Sequence, residues 1–113
     1  KIIDMKILKF EKRFIQPILE REKTTTWRMF DDKNLTEGDK IILTNQENGE
    51  EFCKAKIVDV KEKQLKDINE DYYEGHESFE SIEKICSKFS EYYNKEVNQE
   101  DKIKIIRFVL ESD

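Results

Sequence analysis

Apolar and polar residues alternate along several stretches of this chain, and in three of them the alternation slips by one residue partway. Met5 and Ile7 are followed by Leu8 and Phe10. Cys53, Ala55 and Ile57 are followed by Val58 and Val60, and Ile103 and Ile105 by Ile106, Phe108 and Leu110. Strand side chains point to opposite faces in turn, so a one-residue slip changes which face is turned inward. A β-bulge or sharp bend does this, and three such strands predict a small, strongly curled barrel rather than a flat sheet. Burial of both faces where strands cross produces the same pattern, and periodicity does not separate the two explanations.

Two further strands are predicted. Thr24 to Arg28 is β-branched and aromatic, and Lys40 to Thr44 follows a turn at Glu37, Gly38 and Asp39. Asn48-Gly49 predicts a two-residue hairpin leading into a strand over Glu51 to Val60. Phe14, Ile15, Ile18 and Leu19 are spaced for a short helix that tolerates Pro17 only in its first turn. Phe79, Ile82, Ile85, Cys86, Phe89, Tyr92 and Tyr93 trace one face of a longer helix, with Ser78 as its N-cap. Leu65 to Tyr72 is a third short helical segment. The order is strand, helix, three strands, helices, final strand. This predicts an α+β fold, a mixed curled barrel closed by the last strand and flanked by two or three helices, with residues 1 to 113 forming one domain.

Composition narrows the chemistry. Charged residues are 42% of the 113, yet Leu, Ile, Val and Phe are frequent enough to build a modest core. No uncharged apolar run approaches the roughly 18 residues needed to span a bilayer, so a cytoplasmic protein without a membrane partner is expected. Cys53 and Cys86 suit neither a disulfide framework nor a CxxC site, and both are expected to be reduced. With His76 as the sole histidine, the two-histidine metal motifs cannot be built, and Asp31 to Leu43 fails as a calcium loop because its glycine and closing glutamate are out of place. The isolated glycines form no phosphate-binding loop. No metal or cofactor is expected. The net charge of −5 is uneven: residues 1 to 28 hold eight Lys or Arg against four Asp or Glu. That end can form a local basic patch on an acidic body, suited to one or a few phosphates.

The densest polar constellation is Arg21-Glu22-Lys23-Thr24-Thr25-Thr26-Trp27-Arg28. In a regular strand Thr24, Thr26 and Arg28 share one face, while Thr25 and Trp27 share the other. Lys23-Thr24-Thr25-Thr26-Trp27-Arg28 after a short amphipathic helix is followed by Leu35-Thr36-Glu37-Gly38-Asp39-Lys40-Ile41. Glu74-Gly75-His76-Glu77-Ser78 then opens a helix. In order and spacing these segments resemble the ASCH domain of the PUA-like superfamily, from about Lys6 to Leu110.

The resemblance implies a small β-barrel with flanking helices and an RNA-related role. One branch of ASCH domains comprises amidohydrolases that deacetylate N(4)-acetylcytidine, and its lysine, threonine and glutamate fall on Lys23, Thr26 and Glu74. In that family a glycine usually stands two residues before the lysine, where this chain has Arg21, a change expected to reshape the turn because non-glycine residues resist positive φ. By this reading Thr26 is the nucleophile, and Lys23 is its base, held neutral by burial and by Arg21 and Arg28. Glu74 protonates the departing cytosine nitrogen, and Arg28 steadies an oxyanion or phosphate. Arg21, Arg28, Trp27 and Tyr73 are the expected substrate- or RNA-binding residues. Two functions follow: a cofactor-free hydrolase of an amide-bearing modified nucleoside, or a non-catalytic RNA-binding module using the same cleft.

Overall fold

The computed structural model describes residues 5–31, 33–73, 75–76 and 78–111, with residues 70 and 71 as backbone. Five strands form a single mixed sheet: β1 Lys6–Phe10, β2 Thr25–Arg28, β3 Lys40–Asn45, β4 Glu51–Gln64 and β5 Lys102–Leu110. Their spatial order is β1-β3-β4-β5-β2, with β1 and β3 parallel and the other neighbours antiparallel. The final strand is therefore interior to the sheet rather than its closure. The sheet curls into a half-barrel whose two edges are β1 and β2.

The three phase slips have three different causes. In β4 the ladder with β5 shifts between Ile57 and Asp59, leaving Val58 as an extra residue. This bulge lets both Ile57 and Val60 pack on the barrel interior although they are an odd number apart. In β5 the register runs unbroken through Ile105 and Ile106, and both residues are buried. Ile103 and Ile105 pack on the helix side, Ile106 and Phe108 inside the barrel, so this slip is two-faced burial. In β1 the pairing with β3 is regular, Leu8 and Phe10 are buried, and Ile7 is simply exposed.

Two cores result. The barrel interior is filled mainly by Leu8, Phe10, Ile41, Leu43, Ile57 and Phe108, and Ile18 from the helix α1 (Ile15–Leu19) plugs one end. A 3-10 turn, Lys12–Phe14, leads into α1, and Pro17 is its third residue, within the first turn as its missing N–H requires. On the other face the helix α2 (Ile82–Tyr93) lays Ile85 and Phe89 against Trp27, Met29, Ile103 and Ile105.

Three local expectations need correcting. The helix α2 begins at Ile82, not at Phe79: the Ser81 hydroxyl accepts the Lys84 N–H at 3.2 Å and fixes the start. Leu65 to Tyr72 is not one helix but two 3-10 turns, Leu65–Asp67 and Glu70–Tyr73. The β3–β4 connection is longer than two residues. Asn45 N–H donates to the Glu50 carbonyl and Gly49 N–H to the Asn45 carbonyl, and only Gly49 of the Asn-Gly pair takes positive φ. A type I′ turn needs both.

Candidate functional site

The curl of the sheet brings its edges β1 and β2 together without pairing them, and side chains span the gap. Arg28 Nη2 donates to the Lys9 carbonyl at 2.8 Å, and its guanidinium lies 4.8 Å from the centre of the Phe10 ring. Along this seam opens a cleft of about 280 Å³. Its walls come from β1, the Lys12–Phe14 turn, β2, the residues His76, Ser78 and Phe79, and α2. Lys23, Thr26, Trp27, Arg28 and His76 all line it. A second hollow adjoins it, sharing Arg13, Phe14, Lys23 and His76.

Strand parity holds as expected. Thr26 pairs with Ile106 on the barrel side and Trp27 with Ile105 on the helix side. Lys23 and Thr26 are only 6% and 4% exposed. The Lys23 amine donates to the Thr25 carbonyl at 3.1 Å and lies 4.7 Å from the centre of the Phe14 ring. Thr26 Oγ1 accepts from Arg28 Nε at 3.3 Å. Burial pushes the Arg28 guanidinium below its ordinary pKa, while Tyr92, Tyr93 and Asp31 nearby pull it back up. An arginine so placed remains a cation, held against the threonine hydroxyl.

Lys23 is presented by a tight exit from α1. Glu22 and Lys23 donate their N–H groups to the Pro17 carbonyl, and Arg21 donates its own to the Ile18 carbonyl. This turn needs a left-handed residue, and Arg21 supplies it at φ 63°. Arginine thus stands in a conformation that glycine adopts at lower cost. Its side chain is exposed, with Nη1 donating to the Leu19 carbonyl at 3.4 Å, and does not line the cleft.

Gly75 is fastened to the start of β2. Thr24 and Thr25 N–H groups both donate to the Gly75 carbonyl, at 2.9 and 3.1 Å. His76 stacks on Trp27 at 4.1 Å and 10°, Tyr73 at 5.7 Å and 20°, and Phe79 at 5.6 Å and 30°. Gly75 sits at φ 71°, and a Cβ there would run into the Thr24 side chain. Glu74 itself lies outside the described residues, as does Glu77. Tyr73 packs on the helix-side core rather than lining the cleft. Trp27 does line it, yet is 3% exposed, and its Nε1 has no hydrogen-bond partner among the described residues.

Several cleft residues escaped the sequence reading. Lys9 comes from the opposite edge, Phe14 from the turn after it, and Lys88 and Tyr92 from α2. Tyr92, on the apolar face of α2, is 42% exposed at the rim. His76 sits in the bend after Gly75 and is half-buried against Trp27. Nothing local marks these side chains, because only long-range curl brings them together. Among the described residues no group of three or more His, Cys, Asp or Glu side chains gathers to hold a metal ion. Among the same residues no helix is long and apolar enough to cross a membrane.

The sequence matches no family model and no curated protein. Solved structures do match the fold. A protein of Enterococcus faecalis V583 assigned to the family DUF984 superposes with a TM-score of 0.78 at 13% identity, spanning 97% of this chain and 82% of that one. An ASCH domain from Lactobacillus crispatus gives 0.69 at 15% identity, over 93% of this chain and 79% of that one. The ASCH protein of Zymomonas mobilis gives 0.65 at 10% identity, over 91% and 65%. At such identities the likeness is one of fold.

Proposed function

We propose that this chain, folded as ASCH domains are, is a cofactor-free hydrolase of an amide-bearing modified nucleoside of the N(4)-acetylcytidine type. The observation that supports this reading most is the burial of two reactive polar side chains, Lys23 and Thr26, in the wall of one cleft, with Arg28 on the threonine oxygen. Interior polar groups are normally retained for a purpose, because their desolvation is unfavourable.

In the proposed reaction Thr26 Oγ1 attacks the acetyl carbonyl carbon while its proton passes to a neutral Lys23 amine. Arg28 faces the negative charge, first on the threonine oxygen and then on the tetrahedral oxyanion. The C–N bond breaks, the cytosine amino nitrogen takes a proton from Glu74, and an acetyl-threonine ester remains. Glu74, now a carboxylate, takes a proton from water, whose oxygen attacks the ester carbonyl; the C–O bond to threonine breaks, Lys23 returns its proton to the Thr26 oxygen, and acetic acid leaves, to ionise in solution.

The test is incubation of the purified protein with N(4)-acetylcytidine and chromatographic measurement of cytidine. Wild type is expected to release it, with losses of about 100-fold or more for Thr26→Val and Lys23→Ala and a comparable loss for Glu74→Gln. Absence of product from the wild type, or equal turnover by a folded Lys23→Ala variant, would overturn the proposal.

A second reading rests on the excess of cations around the cleft of an acidic protein: a non-catalytic RNA-binding module in which Lys23 and Arg28, with Arg21 at the adjoining turn, meet phosphate. It predicts affinity for RNA that falls steeply with salt and no cytidine release; binding independent of salt rules it out.

A further inference from the structure

The cleft does not end at Thr26. A third hollow, of about 410 Å³, continues from it along the seam between β1 and β2 and shares Lys9, Arg28 and Tyr92 with it. Its far wall carries Phe30, and that residue is unusual on three counts. It is 45% exposed although large and apolar. It sits in the left-handed region at φ 52°, a conformation that an aromatic residue adopts only when its surroundings enforce it. It is also held from several sides, by the Tyr93 ring edge-on at 5.4 Å and the Lys95 amine 4.1 Å from its ring centre. An exposed ring with a cation over it, next to exposed Tyr92, is the kind of aromatic and cationic surface that attracts a nucleobase and its phosphate.

The sign of charge along the groove selects among occupants. Lys9, Arg13, Lys33 and Lys88 line the connected hollows on a molecule of net charge −5. Of the carboxylates there, Asp31 is engaged by Lys104 at 2.7 Å and Glu11 by Arg13 at 3.3 Å. An extended anion fits this better than an extended peptide, which the free strand edges would otherwise also suit.

We propose that the Phe30–Tyr92 end of the groove is a second nucleobase subsite, so that the ligand is a single-stranded oligonucleotide whose modified base enters the cleft while a neighbouring base stacks on Phe30. This rests on the reading that a nucleobase occupies the cleft. It adds that a lone nucleoside fills only part of the site.

The experiment is fluorescence anisotropy with the full chain and a labelled six-nucleotide cytidine-rich RNA, beside turnover of free N(4)-acetylcytidine. Wild type is expected to bind the hexamer at least about ten-fold more tightly than cytidine monophosphate. Phe30→Ala should weaken hexamer binding by about ten-fold and leave turnover of the free nucleoside unchanged, while Phe30→Trp keeps hexamer binding. Equal affinity of wild type for hexamer and monophosphate would overturn the subsite. So would a Phe30→Ala variant with unaltered hexamer binding, an RNA duplex competing as well as the single strand, or an acidic peptide displacing the hexamer at similar concentration. The two proposals fail separately. Cytidine release with no preference for the hexamer sinks only the subsite, whereas tight Phe30-dependent hexamer binding without cytidine release sinks only the hydrolase.

Discussion

The two faces of the sheet are packed on different principles. Inside the half-barrel, aliphatic side chains from β1, β3, β4 and β5 interlock with Phe10 and Phe108, and Ile18 plugs the end. Between the sheet and α2 aromatic rings join the aliphatic side chains: Tyr73, Phe79 and Phe89 gather around Trp27, Tyr93 packs on Phe89, and the layer opens at its rim onto the cleft. The first core carries the fold. The second also supports a surface, and it carries a buried Trp27 N–H with no hydrogen-bond partner among the described residues. The strand β2 belongs to both, since Thr26 turns toward one and Trp27 toward the other.

The sharpest test of this contrast is truncation on each side. Ile57 is fully buried inside the barrel, and Ile57→Ala should lower stability by about 3 to 4 kcal/mol in urea unfolding. Phe79, half-buried at the cleft rim, should lose less than half as much when changed to Ala, with nucleoside affinity falling alongside. Equal losses at the two sites would mean that the aromatic layer is as tightly sealed as the barrel.

Next in size is Gly75→Ala. A methyl group there meets Thr24 and forces a left-handed backbone on alanine, which together predict a loss of about 3 kcal/mol. Gly38 and Gly49 also have positive φ but open space around them, so alanine at either should cost only about 1 kcal/mol. A Gly75→Ala loss no larger than theirs would show that the 75–76 segment is not clamped to β2.

What the sequence disclosed follows the range of the interactions concerned. The Val58 slip was readable because a bulge acts within one strand, and the opposite facing of Thr26 and Trp27 because alternation is local. The slip in β1 misled, since exposure of Ile7 writes the same pattern as a bend. Ser81 rather than Ser78 caps α2, a choice between two serines that only the observed hydrogen bond decides. Half of the cleft was hidden: Lys9, Lys88 and Tyr92 reach it through the curl of the sheet and the docking of α2, which leave no mark on neighbouring residues.

A third prediction concerns the loop after β2. Burial acts to raise the pKa of the Asp31 carboxyl, but hydrogen bonds from the Lys104 amine and from the Leu35 and Lys33 amides outweigh it and hold the group below the usual carboxylate range. A carboxylate depressed by folding stabilises the protein above its unfolded pKa, and that contribution fades as the pH falls through the lower folded value. Asp31→Asn should therefore lose about 2 kcal/mol near neutrality, because it leaves the largely buried Lys104 short of its anion. The difference from wild type should narrow as the pH drops below the ordinary aspartate value of about 4. A gap constant from pH 7 to pH 2 would assign the effect to packing instead of charge.

The smallest effect is the most informative about the turn that presents Lys23. Arg21 occupies a left-handed conformation that disfavours a side-chain-bearing residue by roughly 1 to 2 kcal/mol. Glycine removes that strain but gives part of it back through a more flexible unfolded chain. Arg21→Gly is thus expected to raise stability by about 0.5 to 1 kcal/mol, seen as a later urea midpoint with an unchanged slope. Nucleoside turnover should stay as in wild type, because the turn keeps its shape and the arginine side chain bonds to Leu19 outside the cleft. A gain in stability accompanied by a loss of RNA affinity would instead place this guanidinium on the nucleic acid, and would favour the binding module over the hydrolase.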